Sequence, residues 1–313
     1  MTASRITSTA YYQPAKVLTN GDLKAIVDTS DEWIRSRVGI QTRHVIDTET
    51  VADLAVAAGG KALASAGLDP GSVDLVVAAT STVEDRSPNL ANRVAAELGL
   101  AGPAAMEVST ACSGFNHALA VADQAIRAGR ARRALVVAAD AMSRIADWTD
   151  RTTCVLVGDG AGAVTLEACP EADWGVGPVH WGSVPEKSRA VLIEGAPLRF
   201  SQEGQTVYRW ATTRLAALAR ETCAAAGVEL DRITAFVPHQ ANLRIVEPLA
   251  RQLGFTGKVV SRDVVESGNT GAASVALGFA KLIDQGELHS GDFALLFGFG
   301  GGLAYAGQVV RCP

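Results

Sequence analysis

No two cysteines in this 313-residue chain are spaced as CxxC. The five present, Cys112, Cys154, Cys169, Cys223 and Cys312, are odd in number and far apart. That excludes the usual patterns for a disulfide framework or a structural zinc site, and it fits a reducing, cytoplasmic setting. Nowhere is there an unbroken apolar run of the ~18–20 residues a membrane helix needs. The first thirty residues carry Arg5, Lys16, Asp22 and Lys24 where a signal peptide would be apolar. No membrane partner is expected. Basic charge is also short, with 28 Lys and Arg against 33 Asp and Glu for a net charge of −5. General nucleic-acid binding is thereby disfavoured, and an anionic partner would have to meet a local basic patch. The chain has no GxSxG and no HExxH, so hydrolase and metalloprotease readings lose their usual support. Its glycine runs, Gly158–Ala163 (GDGAGA) and Gly298–Gly302 (GFGGG), are not followed by the Lys-Ser/Thr of a phosphate loop. They read as turns shaping the floor of a site.

What is present points to a folded α/β protein. Hydrophobic residues make up 48% and charged residues 19%, which gives material for a sizeable core. Short β-rich runs (74–79, 134–139, 235–238, 294–297) alternate with Ala-rich helical stretches (54–66, 91–98, 114–128, 213–226, 274–284). Such alternation predicts buried, largely parallel sheets covered by helices. Residues 170–205, with Trp174, Trp181 and several glycines, read as a connecting loop region.

The sequence also repeats itself. Residues 66–79 (AGLDPGSVDLVVAA) echo residues 226–239 (AGVELDRITAFVPH), and later pieces recur in the same order. Two packed halves are the simplest reading, an N-terminal half over 1–168 and a C-terminal half over 169–313. Aligned on Gly129 and Gly286, Cys112 of the first half falls on Asn269 of the second.

Three residues stand out at strand–helix junctions, where α/β folds place their sites. Cys112 lies in MEVSTACSGF, a strand running into a helix. A helix N-terminus there would lower the thiol pKa and offer N–H groups to an oxyanion. Taken alone, a buried structural cysteine is the commoner case, and that reading is kept for the other four. His239 ends an apolar strand in VPHQANLR, whereas His44, His180 and His289 lack such a setting and read as surface residues. His117, one turn into the Cys112 helix, suits packing. Asn269 lies in SGNTGAAS, a run that on its own is usually a turn.

Together these motifs carry a specific resemblance. The chain resembles the β-ketoacyl-acyl-carrier-protein synthase III family through DTSDEWI (28–34), RVGI (37–40), TDR (149–151), GDGAGA (158–163), PHQANLR (238–244), GNTGAAS (268–274) and FGGG (299–302). The resemblance implies a thiolase fold, with two α/β halves in a five-layered αβαβα arrangement, and a homodimer. It implies a catalytic set of Cys112, His239 and Asn269, with the N–H groups of Cys112 and Gly301 as oxyanion hole. Acyl-CoA would load Cys112, and malonyl-acyl-carrier protein would then condense with the acyl group as it loses CO₂. No metal or other cofactor is implied. Thr29, Trp33, Arg37, Arg151 and Asn242 match CoA or pantetheine contacts, with Trp33 and Arg151 sandwiching the adenine. Arg209, Arg244 and Arg251 match a docking patch for the acyl-carrier protein. Ser87 matches the acyl-pocket gate that reaches the partner subunit, and its small size implies larger or branched primers. Two departures accompany it: Glu84, Asp85 and Arg86 stand where an apolar run is expected, a charge that would favour a polar primer instead, and the loop before Phe200 is short. The alternative is an offshoot of specialised metabolism, a polyketide-priming synthase or an acyltransferase acting on another nucleophile. A degradative thiolase would need a second catalytic cysteine near the C-terminus, for which Cys312 is a poor candidate.

Overall fold

A computed structural model of the chain describes residues 2–313. Two five-stranded sheets carry the architecture. The first contains β1 (Thr2–Tyr12), β2 (Leu75–Ala79), β3 (Ala104–Val108), β4 (Arg133–Ala141) and β5 (Asp159–Pro170), in the order β1-β5-β4-β2-β3. The second contains β6 (His180–Gly182), β7 (Ala235–Pro238), β8 (Val259–Val260), β9 (Phe293–Phe299) and β10 (Tyr305–Arg311), in the order β8-β7-β9-β10-β6. Read from β3 and from β8, both sheets run parallel, parallel, antiparallel, antiparallel. Because β5 continues to Pro170, the first sheet extends past residue 168, where the sequence suggested the junction of the halves.

Seven helices matter here: α1 (Asp31–Val38), α2 (Val51–Ser65), α3 (Leu90–Glu97), α4 (Gly114–Arg127), α5 (Gly204–Ala225), α6 (Leu243–Gln252) and α7 (Ser274–Asp284). α4 and α7 lie between the sheets. Their Phe115, Leu119, Val275 and Phe279 share one core with Val77 and Val136 of the first sheet and Val237 and Leu296 of the second. α2 and α3 cover the outer face of the first sheet, and α5 and α6 cover that of the second. The layers are therefore αβαβα.

Local chemistry explains the element boundaries. Thr50 caps α2 in a reciprocal box with Asp53, satisfying N–H groups that a helix start leaves unpaired. α5 begins at Gly204, nine residues before the sequence suggested. Its first turns carry Gly, Thr, Val and aromatic residues, all weak helix formers. Burial of Val207, Trp210 and Ala211 against the second sheet outweighs that preference. Residues 170–205 are likewise more ordered than a loop. They contain β6 and an antiparallel ribbon, Val191–Glu194 paired with Arg199–Gln202. Those strands are only four residues long, and the Gly-Ala-Pro turn between them dominates the local composition.

The repeat alignment needs one correction. α4 and α7 start 160 residues apart, at 114 and 274, but α4 has 14 residues and α7 has 11. Matching the glycines after the helices therefore slips the register by three. Cys112 corresponds to Ala272, and Asn269 lies one short turn earlier.

Candidate active site

Cys112 sits in a short 3₁₀ turn, Ala111–Ser113, that leads directly into α4. Ala111 holds φ +48°, a left-handed conformation costly for a residue with a Cβ, and it points the following thiol out of the helix start. Glycines are needed opposite. A Cβ on Gly300 would lie 2.9 Å from Cys112 Sγ, and one on Gly301 would lie 2.7 Å from Ala111 Cβ. The backbone N–H groups of Gly301 and Cys112 favour the thiolate. Burial and the nearby Asp140 nevertheless push the thiol up to about 12. The sequence-level expectation of a lowered pKa is thus overturned: desolvation of the thiolate outweighs the helix terminus.

His239 is buried at the end of β7, with its ring edge-on to Phe299 at 5.3 Å, one residue before Gly300. Burial lowers its pKa to about 3, so the imidazole is neutral. Its Nδ1 lies 2.6 Å from Ser274 Oγ. That oxygen also accepts from the Gln240 N–H, so Ser274 occupies Nδ1 and Nε2 is the ring nitrogen left to face a ligand. Gln240 fixes the loop itself, donating to the Pro238 and Ser261 carbonyls and accepting from the Val264 N–H.

Asn269 is also buried. Its backbone donates to Leu156 O and accepts from the Gly158 N–H, tying it to the GDGAGA run. Its Oδ1 accepts from the Gly271 N–H at 3.0 Å, so the Nδ2 group is the part left to face a ligand. The turn after it, Gly271–Ala273, packs on the Cys112 turn. The fold thus gathers the three residues from three strand–helix junctions of both halves. Beside them lies an apolar cluster of Met142, Val157 and Phe200, with Val191 and Ile193 of the ribbon.

A cavity of about 720 Å³ leads outward from Asn269 and is lined by Trp33, Arg37, Asn242, Arg209 and Arg244 among others. Arg151 stacks on Trp33 with its guanidinium carbon 5.0 Å from the ring centroid and also donates to Asp28 O. An adenine between them therefore requires Arg151 to swing aside. Thr29 Oγ1 is buried without a partner. Asn242 is the N-cap of α6, its Oδ1 accepting from Arg244 N at 2.8 Å, so it has a structural duty besides any ligand. Arg251 lies in the adjoining groove, which Tyr208 and Arg244 share with the cavity. Ser87 is exposed on this chain. Of the neighbouring charges, Glu84 pairs with Arg144, and Asp85 pairs with Arg93 at 3.3 Å.

Among the remaining histidines, His289 is exposed, but His180 bonds Glu221 and His44 bonds Pro14 O, so those two are half-buried. His117 stacks on Trp181 at 5.4 Å. No cluster of three potential metal ligands occurs among the described residues, and no helix there is long and apolar enough to cross a membrane. Asp140 and Ser274 are the site residues that sequence reasoning missed. An acid ending an apolar strand beside a Ser/Thr-rich loop (TSTV, 80–83) was the available signal.

This arrangement is that of a thiolase-fold condensing enzyme, an acyltransferase. Residues 106–185 match the family model of 3-oxoacyl-[acyl-carrier-protein] synthase III, and residues 223–312 match its C-terminal model. The chain is 65% identical to β-ketoacyl-[acyl-carrier-protein] synthase III 4 of Streptomyces coelicolor, with 99% of both chains covered. It is 64% identical to synthase III 2 of Streptomyces avermitilis, with 100% of both covered. The crystal structure of the priming β-ketosynthase from the R1128 polyketide pathway matches with a TM-score of 0.95 at 38% identity, covering 99% of this chain and 96% of that one. The chain belongs to the β-ketoacyl-acyl-carrier-protein synthase III family.

Proposed function

We propose that the enzyme initiates fatty acid or polyketide chains by decarboxylative Claisen condensation through an acyl-Cys112 intermediate. The observation that carries this reading is the placement of Cys112 at the head of α4, against Gly300 and beside the turn that follows Asn269, where the N–H groups of Cys112 and Gly301 favour negative charge. In the first stage Sγ bonds to the carbonyl carbon of an acyl-CoA, and CoA leaves as the thiol with the proton of Cys112. The two N–H groups receive the oxyanion. In the second stage malonyl-acyl-carrier protein loses CO₂, and Nε2–H of His239 with Nδ2 of Asn269 stabilise the enolate oxygen. The carbanion attacks the acyl-cysteine, the carbon–sulfur bond breaks, and uptake of one proton restores the thiol. No step runs through a metal or redox cofactor.

The large cavity supports CoA and pantetheine binding through Trp33, Arg37 and Asn242, which line it, with Arg151 stacked on Trp33 and Thr29 outside the lining. All five cysteines are free, in keeping with a cytoplasmic enzyme. A homodimer is supported by β3, an edge strand with an open side that leaves Met106 exposed. In such a dimer Ser87 would gate the partner's acyl pocket. The charges of Glu84 and Asp85 are met within the chain, so they do not call for a polar primer. Branched or medium-length acyl-CoAs should therefore load Cys112 better than acetyl-CoA, each buried CH₂ contributing roughly 0.8 kcal/mol. Ser87→Phe should reverse that order. Intact-mass competition between acetyl-, isobutyryl- and hexanoyl-CoA tests both points. No adduct on Cys112 with any of them would sink the proposal, and an unchanged preference in the variant would remove Ser87 from the pocket.

The docking patch has its own test. Arg209, Arg244 and Arg251 are exposed around Tyr208, offering positive charge on an acidic protein. Reversal of any one to Glu should raise KM for the malonyl-carrier protein by about tenfold, less so at high salt, and affect acyl-CoA loading less, least at Arg251, which lies outside the cavity. Equal losses with both substrates at all three positions would dismiss the patch.

A further inference from the structure

We infer that Asp140 is a positioning residue for condensation: its carboxylate grips the turn after Asn269 and thereby aims the Asn269 amide. The inference rests on the reading of Asn269 proposed above. Asp140 lies near the end of β4 in the first half and is completely buried. Its Oδ1 accepts from Thr80 Oγ1 at 3.1 Å, Ser81 N at 2.7 Å and Thr82 Oγ1 at 2.8 Å. Its Oδ2 accepts from Ala272 N in the second half at 2.6 Å.

The neighbours favour the charged form by what they can offer. Thr80 Oγ1 accepts from the Thr82 N–H, and Thr82 Oγ1 accepts from the Ala141 N–H, so each hydroxyl is free to donate to Asp140. The Ser81 and Ala272 N–H groups can only donate, and with both hydroxyls donating as well the set suits a carboxylate. Burial raises the Asp140 pKa, but these donors oppose it, and the bonding pattern is that of an anion held without any cation.

Burying an anion without a cation costs stability even when hydrogen bonds offset part of the penalty, so neutral packing would be the more stable choice. The anion's placement suggests its purpose. Gly271 has φ +58°, and a Cβ there would lie 2.2 Å from Asp140 Oδ2, so the turn closes directly onto the carboxylate. The Gly271 N–H in turn holds Asn269 Oδ1, and that bond points Nδ2 away from the turn. A continuous chain of hydrogen bonds therefore runs from the Thr80–Thr82 loop through Asp140 and the turn to Asn269. The same anion lies close enough to Cys112 to disfavour its thiolate. Free thiolate would be open to unproductive alkylation or oxidation before an acyl-CoA arrives.

Asp140→Asn tests this. Its oxygen can keep the Thr80–Thr82 side, but its NH₂ then faces the Ala272 N–H, donor against donor. Acylation of Cys112 by acyl-CoA should persist, while decarboxylation and condensation with malonyl-carrier protein fall on the order of 10²-fold. The pH profile of Cys112 alkylation by iodoacetamide should shift to lower pH, because a negative neighbour is gone. In an Asn269→Ala background the same change should lower condensation by no more than about threefold further, since it acts through Asn269. Gly271→Ala pushes on Oδ2 from the other side and should repeat the condensation loss. It carries the test if Asp140→Asn does not fold. Parental condensation in Asp140→Asn, with Asn269→Ala impaired, would overturn the inference. So would a full multiplicative loss in the double variant, or equal losses of acylation and condensation with an unmoved alkylation profile. Parental condensation in Asn269→Ala alone would instead remove the reading of Asn269 on which the inference stands.

Discussion

Cys112→Ala should yield a folded protein that takes up no acyl group and performs no condensation. The nucleophile forms the covalent intermediate, and a methyl group has no lone pair to attack a thioester. Loss of such a group costs on the order of 10⁴–10⁶ in rate. No other thiol can take its place. Cys154, Cys169, Cys223 and Cys312 are buried and none lines the cavity that leads from Asn269. Cys112 is the one half-buried thiol, and it lies against Gly300 beside the turn after Asn269. The protein should fold because the turn at Ala111–Ser113 is held by backbone and by packing against glycines, and alanine removes only the sulfur. Intact mass after incubation with acyl-CoA is the measurement. A retained covalent adduct would place the nucleophile elsewhere.

The proposed chemistry rests on three residues that sit in short local motifs. Each motif spans fewer than a dozen positions and ends a strand or opens a helix. The alternation of apolar strands and Ala-rich helices likewise made the layered α/β plan legible, since periodicity is a local property. What escaped is long-range. Asp140 looks like the end of any apolar strand, and its partners come from Thr80, Ser81, Thr82 and Ala272. Ser274 was visible within GNTGAAS, but its hydroxyl matters only because β7 brings His239 within 2.6 Å. The Cys112 pKa was misjudged for a related reason. A helix start is evident in sequence, whereas burial and a distant carboxylate are not. The missed ribbon at Val191–Gln202 shows the limit from the other side, as four-residue strands leave too little pattern to detect.

His239→Ala and Asn269→Ala should each leave Cys112 able to load an acyl group while lowering condensation on the order of 10²–10³-fold. In the proposed mechanism loading depends on the oxyanion donors of Cys112 and Gly301, which neither substitution removes. Decarboxylation depends on a different centre, the enolate oxygen that gains charge as CO₂ departs. Only donors already oriented toward that oxygen lower the barrier without reorganising. His239 meets this condition because Ser274 occupies Nδ1 and leaves Nε2 as the nitrogen free to donate to the enolate. Asn269 meets it because Gly271 occupies Oδ1 and leaves Nδ2 outward. The depressed pKa of His239, about 3, fixes its role as a neutral donor. Protonation would need a pH near that value, so His239 should produce no acidic limb in the condensation profile between pH 5 and about pH 8. Single-turnover assays with preformed acyl-enzyme and malonyl-carrier protein separate the two stages. Losing both donors together should cost less than the product of the single losses, because both act on one oxygen. Condensation at the parental rate in either variant would exclude that residue from the enolate site.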